Sequence, residues 1–138
     1  PHSEKRSKQY LELAMSSDWN GFVIALVDTE EYIGQIDFVK LDHKNGWGEL
    51  GIVIGNEENH GKGYGTEALE LIINFAFDQL RLNRVELVCW SFNVKGRRAY
   101  EKVGFVQEGV RRKKRYRNGE FHDEICYGLL REEWTARK

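Results

Sequence analysis

The stretch His60-Gly61-Lys62-Gly63-Tyr64-Gly65-Thr66 constrains this chain more than any other. Glycine falls at every second position from Gly61 to Gly65. The apolar run Leu50 to Ile54 precedes the loop. A helical pattern follows from Glu67 to Leu80, with Ala68, Leu69, Ile72, Ile73, Ala76 and Leu80 on one stripe. Strand, glycine loop, helix is an arrangement able to hold an anion. Glycine lets the backbone approach a ligand and adopt positive φ without strain. The first N–H groups of the helix lack intrahelical acceptors and stand at the positive end of its dipole. The loop does not end as an ATP-binding loop does, since Gly61-Lys62 runs into Gly63 rather than Ser or Thr. Glycine turns also precede helices merely to make the turn, so the loop alone leaves its ligand open.

The pattern around the loop predicts a mixed fold. Residues 3–15 carry Tyr10, Leu11, Ala14 and Met15 on a roughly helical spacing, behind the poor cap Ser3…Arg6. Asp18-Trp19-Asn20-Gly21 reads as a turn. Phe22–Val27, Ile33–Leu41 and Trp47–Gly55 read as three strands in an antiparallel meander, with Asn45-Gly46 as a hairpin signal. Arg84–Trp90 is a fourth strand. Its approach through a helix predicts a crossover and a parallel partner, the strand Trp47–Gly55. Residues 94–103 form a short helix ended by Gly104. Phe105–Arg117 and Phe121–Leu130 are strands joined through Asn118-Gly119, the strongest short hairpin signal in the chain.

The 138 residues read as one domain, without internal repeat, linker or low-complexity tract. No apolar run approaches the ~18 residues of a membrane span, and the polar first ten residues show no secretory signal. The chain starts at Pro1 rather than Met, which suggests a start other than the natural one. A net charge of −1 argues against global attraction to nucleic acid. Cys89 and Cys126 lie in apolar strand runs without CxxC spacing, so buried thiols in a reducing cytoplasm are expected rather than a zinc or redox motif.

The stretch Asn93-Val94-Lys95-Gly96-Arg97-Arg98-Ala99-Tyr100-Glu101-Lys102-Val103-Gly104-Phe105 narrows the reading. Together with His60–Thr66 it resembles the GNAT superfamily of acetyl-CoA-dependent N-acetyltransferases. The family loop pattern, Gln/Arg-x-x-Gly-x-Gly/Ala, matches at Gly63 and Gly65, with His60 in place of Gln/Arg. The second pattern, Asn93 followed by Tyr100-Glu101-Lys102-x-Gly104-Phe105, matches in full. Gly63 to Ala68 and Asn118 to Asp123 look like the branch that holds ribosomal-protein N-terminal acetyltransferases and spermidine acetyltransferases. The resemblance covers about residues 22–134. It implies an α/β fold with a mostly antiparallel sheet and a splayed central parallel strand pair flanked by helices. A strand and a helix usual at the start of that fold are expected to be missing, which would leave the first sheet edge unpaired.

The resemblance also implies a site. Acetyl-CoA would enter where the central strands part, its pyrophosphate on the backbone of His60, Gly61, Lys62, Gly63, Tyr64, Gly65 and Thr66. Its pantetheine arm would pair like an added strand with Ile52, Val53 and Ile54, and Asn93 would bond the arm from the other side. Arg98 and Lys102 are candidates for the nucleotide phosphates. Acetylation of an amine requires the acceptor ammonium to lose a proton and the CoA thiolate to gain one. Tyr100 matches the family's general acid. Glu49, near the start of the splayed strand, is the candidate base. A strand N–H near Val53 or Ile54 would steady the thioester oxygen. No metal is implied, since His122-Asp123 beside Glu120 offers one histidine only.

Two features stay outside that assignment. Arg111 to Arg117 is basic throughout except for Tyr116. Strand alternation puts Arg111, Lys113, Arg115 and Arg117 on one side and Arg112, Lys114 and Tyr116 on the other, which suggests a projecting arm or a contact between copies of the chain ahead of a contact with substrate or RNA. Acidic residues cluster on the expected acceptor side: Asp18, Glu30, Glu31, Asp37, Glu57 and Glu58. They suit a polycation such as spermidine, and equally a peptide amine.

Overall fold

The computed structural model describes residues 11–15, 21–26, 31–54 and 63–137. Among the described residues seven strands form one sheet: β1 (Leu11–Met15), β2 (Gly21–Leu26), β3 (Tyr32–Asp42), β4 (Trp47–Ile54), β5 (Arg84–Trp90), β6 (Val106–Arg117) and β7 (Glu120–Leu130). Their spatial order is β1-β2-β3-β4-β5-β7-β6. Three described helices join them: α1 (Tyr64–Asn74), extended by a π turn at Phe75–Gln79, α2 (Val94–Val103) and α3 (Arg131–Ala136). The mixed, mostly antiparallel sheet with one parallel pair agrees with the sequence reading. So do β5 and α2, residue for residue. The Asn118-Gly119 turn has φ of 52° and 81°, the left-handed pair that its hairpin type demands.

The sequence reading fails at the N-terminal side. Leu11–Met15, expected inside a helix over 3–15, is a strand paired with β2 from Leu11↔Leu26 to Met15↔Phe22. Leu11, Leu13 and Met15 fit period two as well as they fit a helix, and the free edge of β2 decided between them. That edge is therefore paired, against the expectation of an open one. Residues 3–10 and the turn residues Asp18, Trp19 and Asn20 lie outside the described residues. α3 was not expected. It is capped by Glu133, whose Oε1 accepts the Leu130 N–H at 2.9 Å.

All three helices pack on one face of the sheet. That face contributes Phe22, Ile24, Ile36, Phe38, Leu50, Val85, Leu87, Ile125, Tyr127 and Leu129 to a single core with Ala68, Leu69, Ile72, Ile73 and Trp134. Trp134 reaches across from α3 to give its indole N–H to Asn74 Oδ1 at 2.9 Å. Residues opposite one another in register share a face. Glu49, Gly51, Val53, Glu86, Val88, Trp90 and Glu124 thus stand on the other face, which no helix covers among the described residues. Cys89 pairs with Ile125, and Cys126 with Val88. The two thiols therefore lie on opposite faces and remain free.

Candidate active site

β4 and β5 form a parallel pair over three positions only, Trp47↔Arg84, Gly48↔Val85 and Glu49↔Glu86. Beyond Glu49 the strands part, and Leu50–Ile54 faces Leu87–Trp90 across a split. One end of the split is stitched shut. The Gly46 carbonyl accepts the Asn83 and Arg84 N–H groups at 2.7 and 3.1 Å, tying the β3–β4 turn to the entry of β5. Gly46 sits at φ 74°, and Asp42 anchors the turn by accepting both the backbone and side-chain N–H of Asn45 at 2.9 Å. At the level where β4 leaves β5, the β3–β4 register shifts between Phe38 and Lys40, so Val39 is a bulge. A bulge bends its strand pair. Gly51 makes room for it, since a Cβ there would come within 3.0 Å of Val39 Cγ2.

The head of α1 stands beyond the open end of β4. Gly63 is its N-cap at φ 83°. Tyr64, Gly65 and Thr66, read from sequence as loop, are already its first turn. Glu67 N–H is the first to return to the cap, reaching the Gly63 carbonyl at 3.0 Å. The N–H groups of Tyr64, Gly65 and Thr66 therefore have no acceptor within the helix. No described atom lies within 4 Å of a Cβ built at Gly63 or Gly65, so the helix head offers bare backbone to a ligand. These features fit a pyrophosphate. His60, Gly61 and Lys62 lie outside the described residues. So does the side chain of Ile54. Among the described residues the β4 edge at Ile52–Ile54 has no strand partner on the β5 side, as an extended amide arm would require.

α2 brings Tyr100 to the helix side of the split. The residue is buried, and its ring packs edge-on against Phe105 and Tyr127 with centroids 6.2 and 5.8 Å apart. Burial pushes its phenol up to about 12, with smaller contributions from Cys89 and Tyr127. Burial likewise raises the Cys89 thiol to about 11. Glu49 is on the opposite face. Tyr100 and Glu49 are thus not brought into contact, but stand on opposite faces of the sheet. Arg98 and Lys102 are exposed on α2. Asn93 has a role that the sequence reading missed, as the N-cap of α2: its Oδ1 accepts the Gly96 N–H at 3.0 Å. Its side-chain N–H groups are bound by no described residue and are left for a ligand. The side chain lies against Gly96, where any Cβ would collide with it.

Other groups were also missed. Tyr127 O–H donates to Glu101 Oε2 at 2.7 Å and accepts from Arg97 Nε at 3.3 Å, so β7 grips two side chains one turn apart on α2. The spacing of Arg97 and Glu101 was the available signal. Glu86 lies beside Glu49 in the parallel register, and Arg84 holds it at 2.9 Å while also clamping Glu108 at 2.7 and 2.9 Å. That clamp depresses the Glu108 carboxyl. Among the described residues no group of three or more His, Cys, Asp or Glu could hold a metal. His122 instead packs edge-on against Phe92.

Comparison with known proteins agrees with this geometry. Residues 1–106 match the family described as acetyltransferase (GNAT) domain. The chain is 38% identical over 122 residues to YdaF of Bacillus subtilis, by name a candidate ribosomal N-acetyltransferase; the match covers 88% of this chain and 66% of YdaF. It is 28% identical over 106 residues to the spermidine N(1)-acetyltransferase of Escherichia coli, covering 77% of this chain and 56% of that one. The crystal structure of the GNAT-family acetyltransferase from Bacillus anthracis superimposes with a TM-score of 0.73 at 30% identity, over 83% of this chain and 68% of the other. The chain thus spans just under two thirds of the length of YdaF.

Proposed function

The chain belongs to the GNAT acetyltransferase family, and from that premise we propose that it transfers the acetyl group of acetyl-CoA to a primary amine of a small molecule or a peptide N-terminus. The parting of the parallel pair β4–β5 immediately past Glu49 and Glu86 carries this reading. It leaves a backbone edge for the pantetheine arm and a passage through the sheet for the thioester. The left-handed Gly63 and the open N–H groups behind it supply the pyrophosphate end. Arg98 and Lys102 add positive charge for the nucleotide. All described strands share one sheet, which supports a single domain. The free Cys89 and Cys126 suit a reducing cytoplasm.

Tyr100 and Glu49 divide the proton work. Glu49, held by no hydrogen bond or ion pair among the described residues, receives the proton that the acceptor ammonium must shed, directly or through water. A phenol at about 12 keeps its proton at neutral pH. Handing that proton outright to a thiolate with an ordinary pKa of about 8.5 would cost roughly 5 kcal/mol. Tyr100 therefore acts first as a hydrogen-bond donor that stabilises the charge growing on sulfur. The proton released from the newly acylated nitrogen then replaces the one Tyr100 passes on, so the phenol ends as it began.

The test is thiol release on mixing the protein with acetyl-CoA and a panel of N-terminal peptides, polyamines and aminoglycosides. Release with at least one amine is expected. Tight CoA binding with no release from any amine would reduce the protein to a CoA-binding module.

A further inference from the structure

Resting on the acetyl-transfer reading, we propose that the acceptor is a peptide N-terminus followed by acidic residues, docked on the β6–β7 hairpin, and not a free polyamine. The hairpin stands at the wide end of the split. Ser91, just past β5, donates its N–H to the Asp123 carbonyl at 2.8 Å, and its hydroxyl accepts the Asp123 N–H at 3.3 Å. The Arg115 guanidinium lies over the Trp90 ring, 5.2 Å from its centroid, and that of Arg117 lies 4.2 Å over Phe92. Trp90 ends β5 on the same face as Glu49, so these cations border the side from which an amine would reach Glu49.

The hairpin carries surplus positive charge on a chain whose net charge is −1. Arg111 and Lys114 share one oxygen of the buried Glu124, at 2.7 and 3.0 Å. Burial pushes that carboxyl up, but the two donors outweigh it and hold it below the usual range. Two cations on one carboxylate leave one charge unmatched. Arg112, Lys113, Arg115 and Arg117 form no ion pair among the described residues. The strand alternation expected from sequence breaks here. The register shifts between Arg111 and Arg115, and Lys113 takes φ 52° with its N–H on Asp123 Oδ1 at 2.8 Å. The bulge brings Lys114 to the Glu124 that Arg111 holds. Charges placed only to keep an edge strand from pairing need no fixed position. Arg115 and Arg117 are instead seated on rings, which fixes each guanidinium plane and leaves its N–H rim for carboxylates.

This pattern selects among amines. A free polycation would meet like charge along the hairpin. On the sheet it would find Glu49 with Lys40 opposite it in register, Asp37 accepting from Gln35 Nε2 at 3.0 Å, and a Glu86 already held by Arg84. An acidic peptide offers its amine to Glu49 and its carboxylates to Arg115 and Arg117.

The experiment compares peptides of one length bearing Asp/Glu, Ser or Lys after the N-terminal residue, together with spermidine. It reads kcat/KM by thiol release, and binding by anisotropy of the labelled peptides. About a tenfold preference for the acidic peptide over the basic one is expected, shrinking as salt is raised. The double variant Arg115→Glu/Arg117→Glu should reverse it; Arg115→Ala, a milder change, should flatten it. Equal rates across the peptides, or a preference for spermidine, would overturn the proposal. So would single-stranded RNA that displaces the acidic peptide from the hairpin. Preferential binding of the acidic peptide without thiol release from any amine would support the docking surface and sink the acetyl-transfer reading.

Discussion

Gly63 and Gly65 differ by two positions, yet replacing each with alanine has opposite consequences for stability. Gly63 is at φ 83° with no described atom within 4 Å of a new Cβ, so among the described residues the cost of Gly63→Ala is backbone strain alone. Holding an L-residue in the left-handed region costs about 1–2 kcal/mol. The stiffer unfolded chain returns about 0.5 kcal/mol, leaving a net loss of about 1 kcal/mol. For 138 residues the unfolding entropy is roughly 290 cal/mol/K, so the melting temperature drops by about 3 °C. Gly65 lies within the first turn of α1 and has equally open surroundings. Gly65→Ala gains about 0.5 kcal/mol of helix propensity, or about 2 °C. Calorimetry should therefore place the two variants about 5 °C apart, Gly63→Ala about 3 °C below the parent and Gly65→Ala about 2 °C above it. Function is expected to part from stability at Gly65, because the added methyl would occupy the space proposed for the pyrophosphate. The more stable Gly65→Ala protein should show a raised KM for acetyl-CoA. Two variants that shift in the same direction would refute the conformational argument. A Gly65→Ala protein with unchanged KM would refute the close approach of the loop backbone to the ligand.

Tyr100→Phe should lower kcat about a hundredfold while the dissociation constant of CoA barely moves; equal turnover removes Tyr100 from the chemistry. The same residue predicts an alkaline effect. Its folded pKa of about 12 lies above the unfolded value of about 10, so its stabilising contribution is complete below pH 10 and is lost as pH rises towards 12. Melting curves at pH 9 and 11 should show a smaller loss for Tyr100→Phe than for the parent, and identical losses would contradict its burial. Glu124 gives the acidic counterpart. Its carboxyl is depressed in the fold, so its contribution is present above the usual carboxylate range and disappears as pH falls through the folded value. The stability gap between the parent and Glu124→Gln should be widest near neutrality and close in acid. Tyr127→Phe unties α2 from β7, and a loss of about 1–2 kcal/mol in urea unfolding is expected, with no loss counting against the bridge to Arg97 and Glu101.

Much of the molecule was readable before any coordinates. Asn118-Gly119 and Asn45-Gly46 marked their turns because few other residues accept positive φ. Gly104 ended α2 for the same reason, at φ 124°. The apolar stripe from Ala68 to Ala76 placed α1 against the sheet, and its position between two strands fixed a crossover and a parallel pair. Where local pattern was ambiguous the reading failed. Leu11–Met15 suits both periods, and only the vacant edge of β2 made it a strand. Arg111–Arg117 looked like simple alternation until the bulge at Lys113 redirected Lys114.

The sequence by itself determined the elements that need only neighbouring residues: the glycine stretch ahead of α1, the Gly104 end of α2, the hairpin turns, and the Asn93–Phe105 pattern that points to one family. Tertiary structure decided what depends on residues distant in the chain. It set the length of the β4–β5 pairing, because Gly46, Asn83 and the bulge at Val39 act together only when folded. It put Tyr100 and Glu49 on opposite faces of the sheet with a split between them, since side-chain facing depends on register rather than composition. It also seated Arg115 on Trp90, a contact between residues 25 positions apart that exists only because β7 lies between their strands.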